Sequence, residues 1–210
     1  MDLMEREMTI LHVATNGVGD DCEIARVTAC AVIGGEIVVR TELDGLCGMP
    51  AGATRINGLP DSYLAWNGMP QDALLVAVEQ TVMESFDTNL LLVNNAPFTL
   101  GAIGWTMSRV NILDVGVLDL IPQGVRGRVR TWHELCTAHR VRSTDPCASY
   151  LEILRALCDA HSDLRAAKPH DLMGAQVRAF RARAESYANW LRGVPERAHE
   201  ADDVRTSWPV

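Results

Sequence analysis

Two alternating runs, residues 24–33 (IARVTACAVI) and 36–43 (EIVVRTEL), are separated by nothing but Gly34-Gly35. Alternation with period two gives each run one face for a core, and two adjacent glycines supply the positive φ that so short a connection needs. The pair is predicted as an antiparallel hairpin, and everything else must be built onto it. Residues 9–13 (TILHV) form a further short apolar run closed by Asn16-Gly17, so a first strand precedes the hairpin.

Beyond the hairpin the periodicity changes. Residues 45–60 (GLCGMPAGATRINGLP) are rich in Gly and Pro and read as a long surface loop, after which residues 71–86 repeat their apolar positions at helical spacing. Residues 90–93 (LLLV) are apolar throughout, as expected of a central strand covered on both faces. Residues 98–109 return to helical spacing and residues 115–120 are read as the next strand, which makes a βαβ alternation. Then follow a basic loop at 125–130, a short helix at 131–139, and a longer one at 146–160 with Asp145 as N-cap and Pro146 in its first turn. Residues 170–192 form one amphipathic helix, and the rest is a polar tail.

Composition excludes several classes. The chain has 210 residues, 48% of them hydrophobic, and no apolar run reaches the roughly 18 residues of a membrane helix. The start, MDLMEREMTI, lacks the basic and apolar regions of a secretory signal, so a cytoplasmic location is expected. A net charge of −8 argues against indiscriminate polyanion binding, so any nucleic-acid contact must be local. The six cysteines (Cys22, Cys30, Cys47, Cys136, Cys147, Cys158) form no C-x-x-C pair and read as reduced thiols. Lys168 is the only lysine, beside 18 arginines, a bias attributed to a GC-rich genome.

Four local strings carry a resemblance. They are His12-Val13-Ala14-Thr15-Asn16-Gly17 at the first strand, Ala53-Thr54-Arg55-Ile56-Asn57-Gly58-Leu59 in the loop, Asn94-Asn95-Ala96-Pro97-Phe98-Thr99-Leu100 after the apolar strand, and Asp145-Pro146-Cys147-Ala148-Ser149. With Val117-Leu118-Asp119 and Leu135-Cys136, they resemble nearly end to end the motifs of the DnaQ-like 3′-5′ exonucleases of the DEDD superfamily. Ala175-Gln176-Val177 and Ser207-Trp208-Pro209 look like the tail of stand-alone actinobacterial members and their phage relatives, and imply that Trp208 docks back onto the domain. The resemblance implies a ribonuclease-H-like α/β fold, a five-stranded mixed sheet flanked by helices. Residues 1–162 would form the exonuclease-fold domain and 163–210 a C-terminal helix and tail packing on it.

The departures bear on function. The family holds two divalent cations about 4 Å apart with four carboxylates. Aligned on its motifs, those positions fall on His12, Ala14, Thr99 and Asp145, of which only Asp145 is acidic. The family's general-base histidine falls on Arg140, which stays protonated at neutral pH. A one-residue shift would bring His139 there instead, without restoring the metals. Asp20, Asp21 and Glu23 are candidate replacement ligands, against the simpler reading of a solvated acidic loop.

The preferred reading is thus a catalytically degenerate homologue without a metal cofactor, binding a nucleic-acid 3′ end, a nucleotide or a protein partner. Asn95, Phe98, Arg140 and His12, if cationic, are its candidate ligand contacts, with arginine standing in for the metal. The alternatives are an active Mg²⁺- or Mn²⁺-dependent exonuclease with relocated ligands, and an interaction scaffold with nothing in the cleft. The basic cluster Arg126, Arg128, Arg130, Arg140 and Arg142, with His133 and His139, reads either as a strand-recognition patch or as a solvated loop. Trp66, Trp105, Trp132 and Trp190 sit at helical positions and are expected in the core. Residues 80–86 (QTVMESF) superficially suggest a sliding-clamp peptide, but helical spacing assigns their apolar side chains to the core.

Overall fold

A computed structural model describes residues 2–17, 21–84, 89–104, 110–124, 128–204 and 206–208. The hairpin forms as its alternation requires: β2 (Ile24–Ile33) pairs antiparallel with β3 (Glu36–Asp44), turning on Gly34 and Gly35 at φ 58° and 78°. On the other side of β2 lies β1 (Met8–Thr15), also antiparallel, running from Met8 opposite Val32 to Thr15 opposite Ile24. Next to β1 the pairing becomes parallel with β4 (Leu90–Val93), then β5 (Asn111–Asp114). The order β3-β2-β1-β4-β5 is the expected five-stranded mixed sheet.

The sheet is covered on both faces, and β4 shows how. Leu90 and Leu92 point into a core built with Tyr150, Leu154 and Leu157 of α7 (Pro146–Ala160), while Leu91 and Val93 point into another with Leu74, Val78 and Val82 of α3 (Gln71–Glu84). Because side chains alternate across a strand, a central strand between two helical layers has no polar face to offer.

Three expectations change. Residues 45–60 are not all loop: α1 (Ala51–Asn57) and α2 (Asp61–Asn67) form there, with Gly58 closing α1 in the left-handed region. The helix expected at 98–109 is α4 (Ala96–Ala102), which begins earlier with Pro97 in its first turn; residues 105–109 lie outside the described residues. The fifth strand is Asn111–Asp114 rather than 115–120, and Val115–Leu120 is helix α5. Asp114 decides that boundary: its carboxylate accepts the Gly116 and Val117 amides, an N-cap that stops the strand. Its other oxygen accepts the Ala96 amide at 2.7 Å, so one buried side chain ties the ends of β4 and β5 to the helices that follow them.

Helix α6 (Trp132–Ala138) starts from a capping box of Thr131 and Glu134, and α7 from Asp145, whose carboxylate accepts the Ala148 amide at 2.8 Å. After the short α8 (Ser162–Ala166), the long α9 (Pro169–Arg192) packs along β5. Gln176 of α9 is fully buried, accepts the Asp114 amide at 2.8 Å and donates to the Ile112 carbonyl at 2.9 Å. A side-chain amide thereby completes the backbone pairing of an edge strand. Trp208 is buried in the core beside α3, so the tail does fold back. Among the described residues no helix is long and apolar enough to cross a membrane.

Candidate functional site

β1 enters the sheet beside β2 and ends at the mouth of a cleft of about 350 Å³, walled by β2, β3, α1 and α7. Sheet register brings His12 opposite Thr28, and Thr28 opposite Glu42, so three adjacent strands contribute to one wall. Ala14, Arg26, Arg40, Asn94, Trp132 and Tyr150 also line it.

The cleft is organised by an ion-pair chain. Arg40 of β3 donates through Nη1 to Asp145 Oδ2 at 2.5 Å and through Nη2 to Glu42 Oε1 at 2.6 Å. Glu42 in turn pairs with Arg26 at 2.9 Å, and Arg26 grips Asp44 with two further hydrogen bonds of 2.6 and 3.0 Å. Two guanidinium groups are thus shared among three carboxylates. Burial works against the Arg40 charge, but its bonds to Glu42 and Asp145 outweigh it and raise the pKa further.

His12 lies next to this chain without joining it. Its Nδ1 shares a 2.8 Å hydrogen bond with the Tyr150 hydroxyl, and the rings meet edge to face. Desolvation drives the imidazole pKa down to about 4; Asp145 pulls it up and Arg40 pushes it down further. His12 is therefore neutral at physiological pH, which corrects the expectation of a second cation. The Tyr150 pKa is raised well above its usual value, chiefly by burial, so the phenol keeps its proton.

The other sequence candidates are scattered. Thr99 is buried and donates to the Asn94 carbonyl at 3.0 Å. Asn95 is the exposed N-cap of α4 at φ 56°, and Phe98 is half-buried on that helix; neither lines the cleft. Arg140 is exposed in the turn after α6 at φ 54°, also away from the cleft lining. His139 does not serve the cleft either, because its Nε2 bonds Asp119 Oδ1 at 2.8 Å. Arg130 pairs with the same buried Asp119, and Arg128 with Glu134, so part of the basic cluster is spent internally; Arg126 lies outside the described residues.

Of the acidic-loop candidates, Glu23 hydrogen-bonds Asn16, Asp21 is exposed and Asp20 lies outside the described residues. Among the described residues no group of three or more His, Cys, Asp or Glu stands together to hold a metal. The residues present do not fit a divalent pair: the carboxylate of Asp145 is divided between the Ala148 amide and the Arg40 guanidinium.

Sequence reasoning missed Arg40, whose partner Asp145 is 105 residues away. The one signal available was the Arg40-Thr41-Glu42 alternation, which puts both charges on the same face of a strand. It also misplaced the tryptophans: Trp66 is 90% exposed, Trp190 53%, and Trp132 39% with its ring edge-to-face on Tyr150, while Trp105 lies outside the described residues.

No family model and no curated protein sequence matches the chain. Solved structures do. Exonuclease X in complex with 5′-overhanging duplex DNA is similar with a TM-score of 0.58 at 12% identity, over 80% of this chain and 99% of that one. Exonuclease I of E. coli in complex with a dT13 oligonucleotide gives 0.63 at 12% identity over 81% of this chain, and exonuclease I in the complex with SSB-Ct gives 0.60 at 11% over 84%. The chain spans 45% and 44% of those two longer proteins. The chain shares the fold of these exonucleases.

Proposed function

We propose that this chain is a degenerate exonuclease homologue that binds a nucleic-acid 3′ end or a nucleotide in the cleft without hydrolysing it. The observation that carries the reading is the Arg40–Asp145 pair, a guanidinium held against the carboxylate that the resemblance takes as the family's last metal-ligand position. The reading takes His12, Ala14 and Thr99 as replacements of the other three carboxylates. A planar guanidinium matches phosphate oxygens in a bidentate manner, and here it is held by acids that a phosphate can displace. Arg40 thus takes the part that the sequence offered to Arg140. Trp132 and Ile56, both exposed at the cleft wall, supply apolar faces for a base.

The test uses a 3′-labelled single strand followed by anisotropy and by product length, with Mg²⁺, with Mn²⁺ and with chelator. Binding indifferent to chelator, without shortening and weakened by Arg40→Ala and Trp132→Ala, is the expected result. Metal-dependent shortening abolished by Asp145→Ala would overturn it in favour of an active exonuclease. Absence of binding to strands and nucleotides alike would overturn it in favour of a protein partner.

A further inference from the structure

The strands β1, β4 and β5 run the same way, and their C-terminal ends point toward the cleft. At the opposite end of the sheet, where these strands begin, lies a hollow of about 590 Å³. Arg6, just before β1, and Lys168 and His170, where α9 begins, line it. In the cleft every guanidinium is paired; here none of the three basic side chains has an ion-pair or hydrogen-bond partner among the described residues. The Nε of Arg6 is buried without a hydrogen-bond partner among the described residues, a costly arrangement for a polar group. Beside the basic groups the lining is mixed: Ile33, Leu90 and Pro169 supply apolar surface, with Ile33 half exposed, and Asn89 and Asn111 supply neutral amides.

Glu5 and Glu7 also face the hollow, and both are exposed. Among the described lining residues two carboxylates stand against Arg6 and Lys168, too little positive charge for a polyphosphate. The hollow suits one anionic head of modest charge, gripped by Arg6 and Lys168, with the rest of the ligand lying on the apolar surface. We propose that this hollow is a second ligand site, separate from the cleft, for a small organic phosphate monoester of nucleotide size.

The experiment is calorimetric titration of the full chain with nucleoside 5′-monophosphates, the corresponding nucleosides and inorganic phosphate. Lys168→Ala combined with His170→Ala serves as the site variant, because both side chains are exposed and the fold does not depend on them. Saturable monophosphate binding that weakens roughly tenfold or more in the double variant is expected, as loss of a charge-assisted phosphate contact implies. Because the cleft is itself proposed to take a nucleotide through Arg40, the comparison is made in the Arg40→Ala background, where binding in the hollow should persist. Lys168 is the chain's only lysine, so reductive ¹³C-methylation gives one side-chain amine signal whose shift reports occupancy of this hollow directly. Four results would overturn the proposal: no saturable binding, equal affinity for inorganic phosphate, equal affinity for the nucleoside, or binding lost in Arg40→Ala but kept in the double variant.

Discussion

His12 provides the sharpest test of the cleft's electrostatics. Folding lowers its pKa from 6.5 to about 4, so protons bind the unfolded chain more tightly than the folded one. The stability this protects is intact above pH 6.5 and is lost as pH falls through 6.5 toward 4. Between pH 7 and pH 5 the linkage amounts to about 2 kcal/mol, approaching about 3 kcal/mol below pH 4. His12→Asn keeps a polar atom where Nδ1 meets the Tyr150 hydroxyl but does not titrate. Urea unfolding of both proteins at pH 7 and pH 5 isolates the histidine, because all other groups cancel in the difference. The wild type should lose about 2 kcal/mol relative to the variant on acidification. Parallel losses in the two proteins, or an NMR titration of His12 with its midpoint at 6.5 or above, would refute the desolvated, neutral imidazole.

Other perturbations address the frame around the cleft. Gln176→Ala should cost about 2–5 kcal/mol in chemical denaturation, because it leaves the Asp114 amide and the Ile112 carbonyl buried without partners. Trp208→Ala should lower stability by on the order of 3 kcal/mol, whereas Trp208→Phe should be far milder, since the buried indole Nε1 has no hydrogen-bond partner among the described residues to lose. Asp145→Ala removes the α7 cap and the Arg40 pair together and should cost about 1–2 kcal/mol, while Arg40→Ala should stay within about 1 kcal/mol because that pair is partly exposed to solvent. Thermal melts of the two variants side by side separate the cap from the pair.

These effects fall where the sequence was partly readable and partly silent. Alternation and Gly34-Gly35 determined the hairpin, and the wholly apolar 90–93 run determined a strand with cores on both sides, because period-two burial needs no knowledge of distant residues. The Asp145-Pro146 start of α7 was equally local, since a cap and its helix are adjacent in the chain. The strand at 111–114 was not readable, because the apolar residues on either side of Asp114 are much alike and the carboxylate's choice of amide partners makes the boundary. Nor could pattern place the tryptophans, as helical spacing says that a face exists but not that anything covers it. Charge in the cleft was decided by tertiary structure alone: β3 carries Arg40 across 105 residues to Asp145, and burial beside Tyr150 takes the proton from His12. Side chains that meet only after the sheet is assembled leave no trace in spacing, so the sequence determined the scaffold and the folded chain determined which of its charges are free to act.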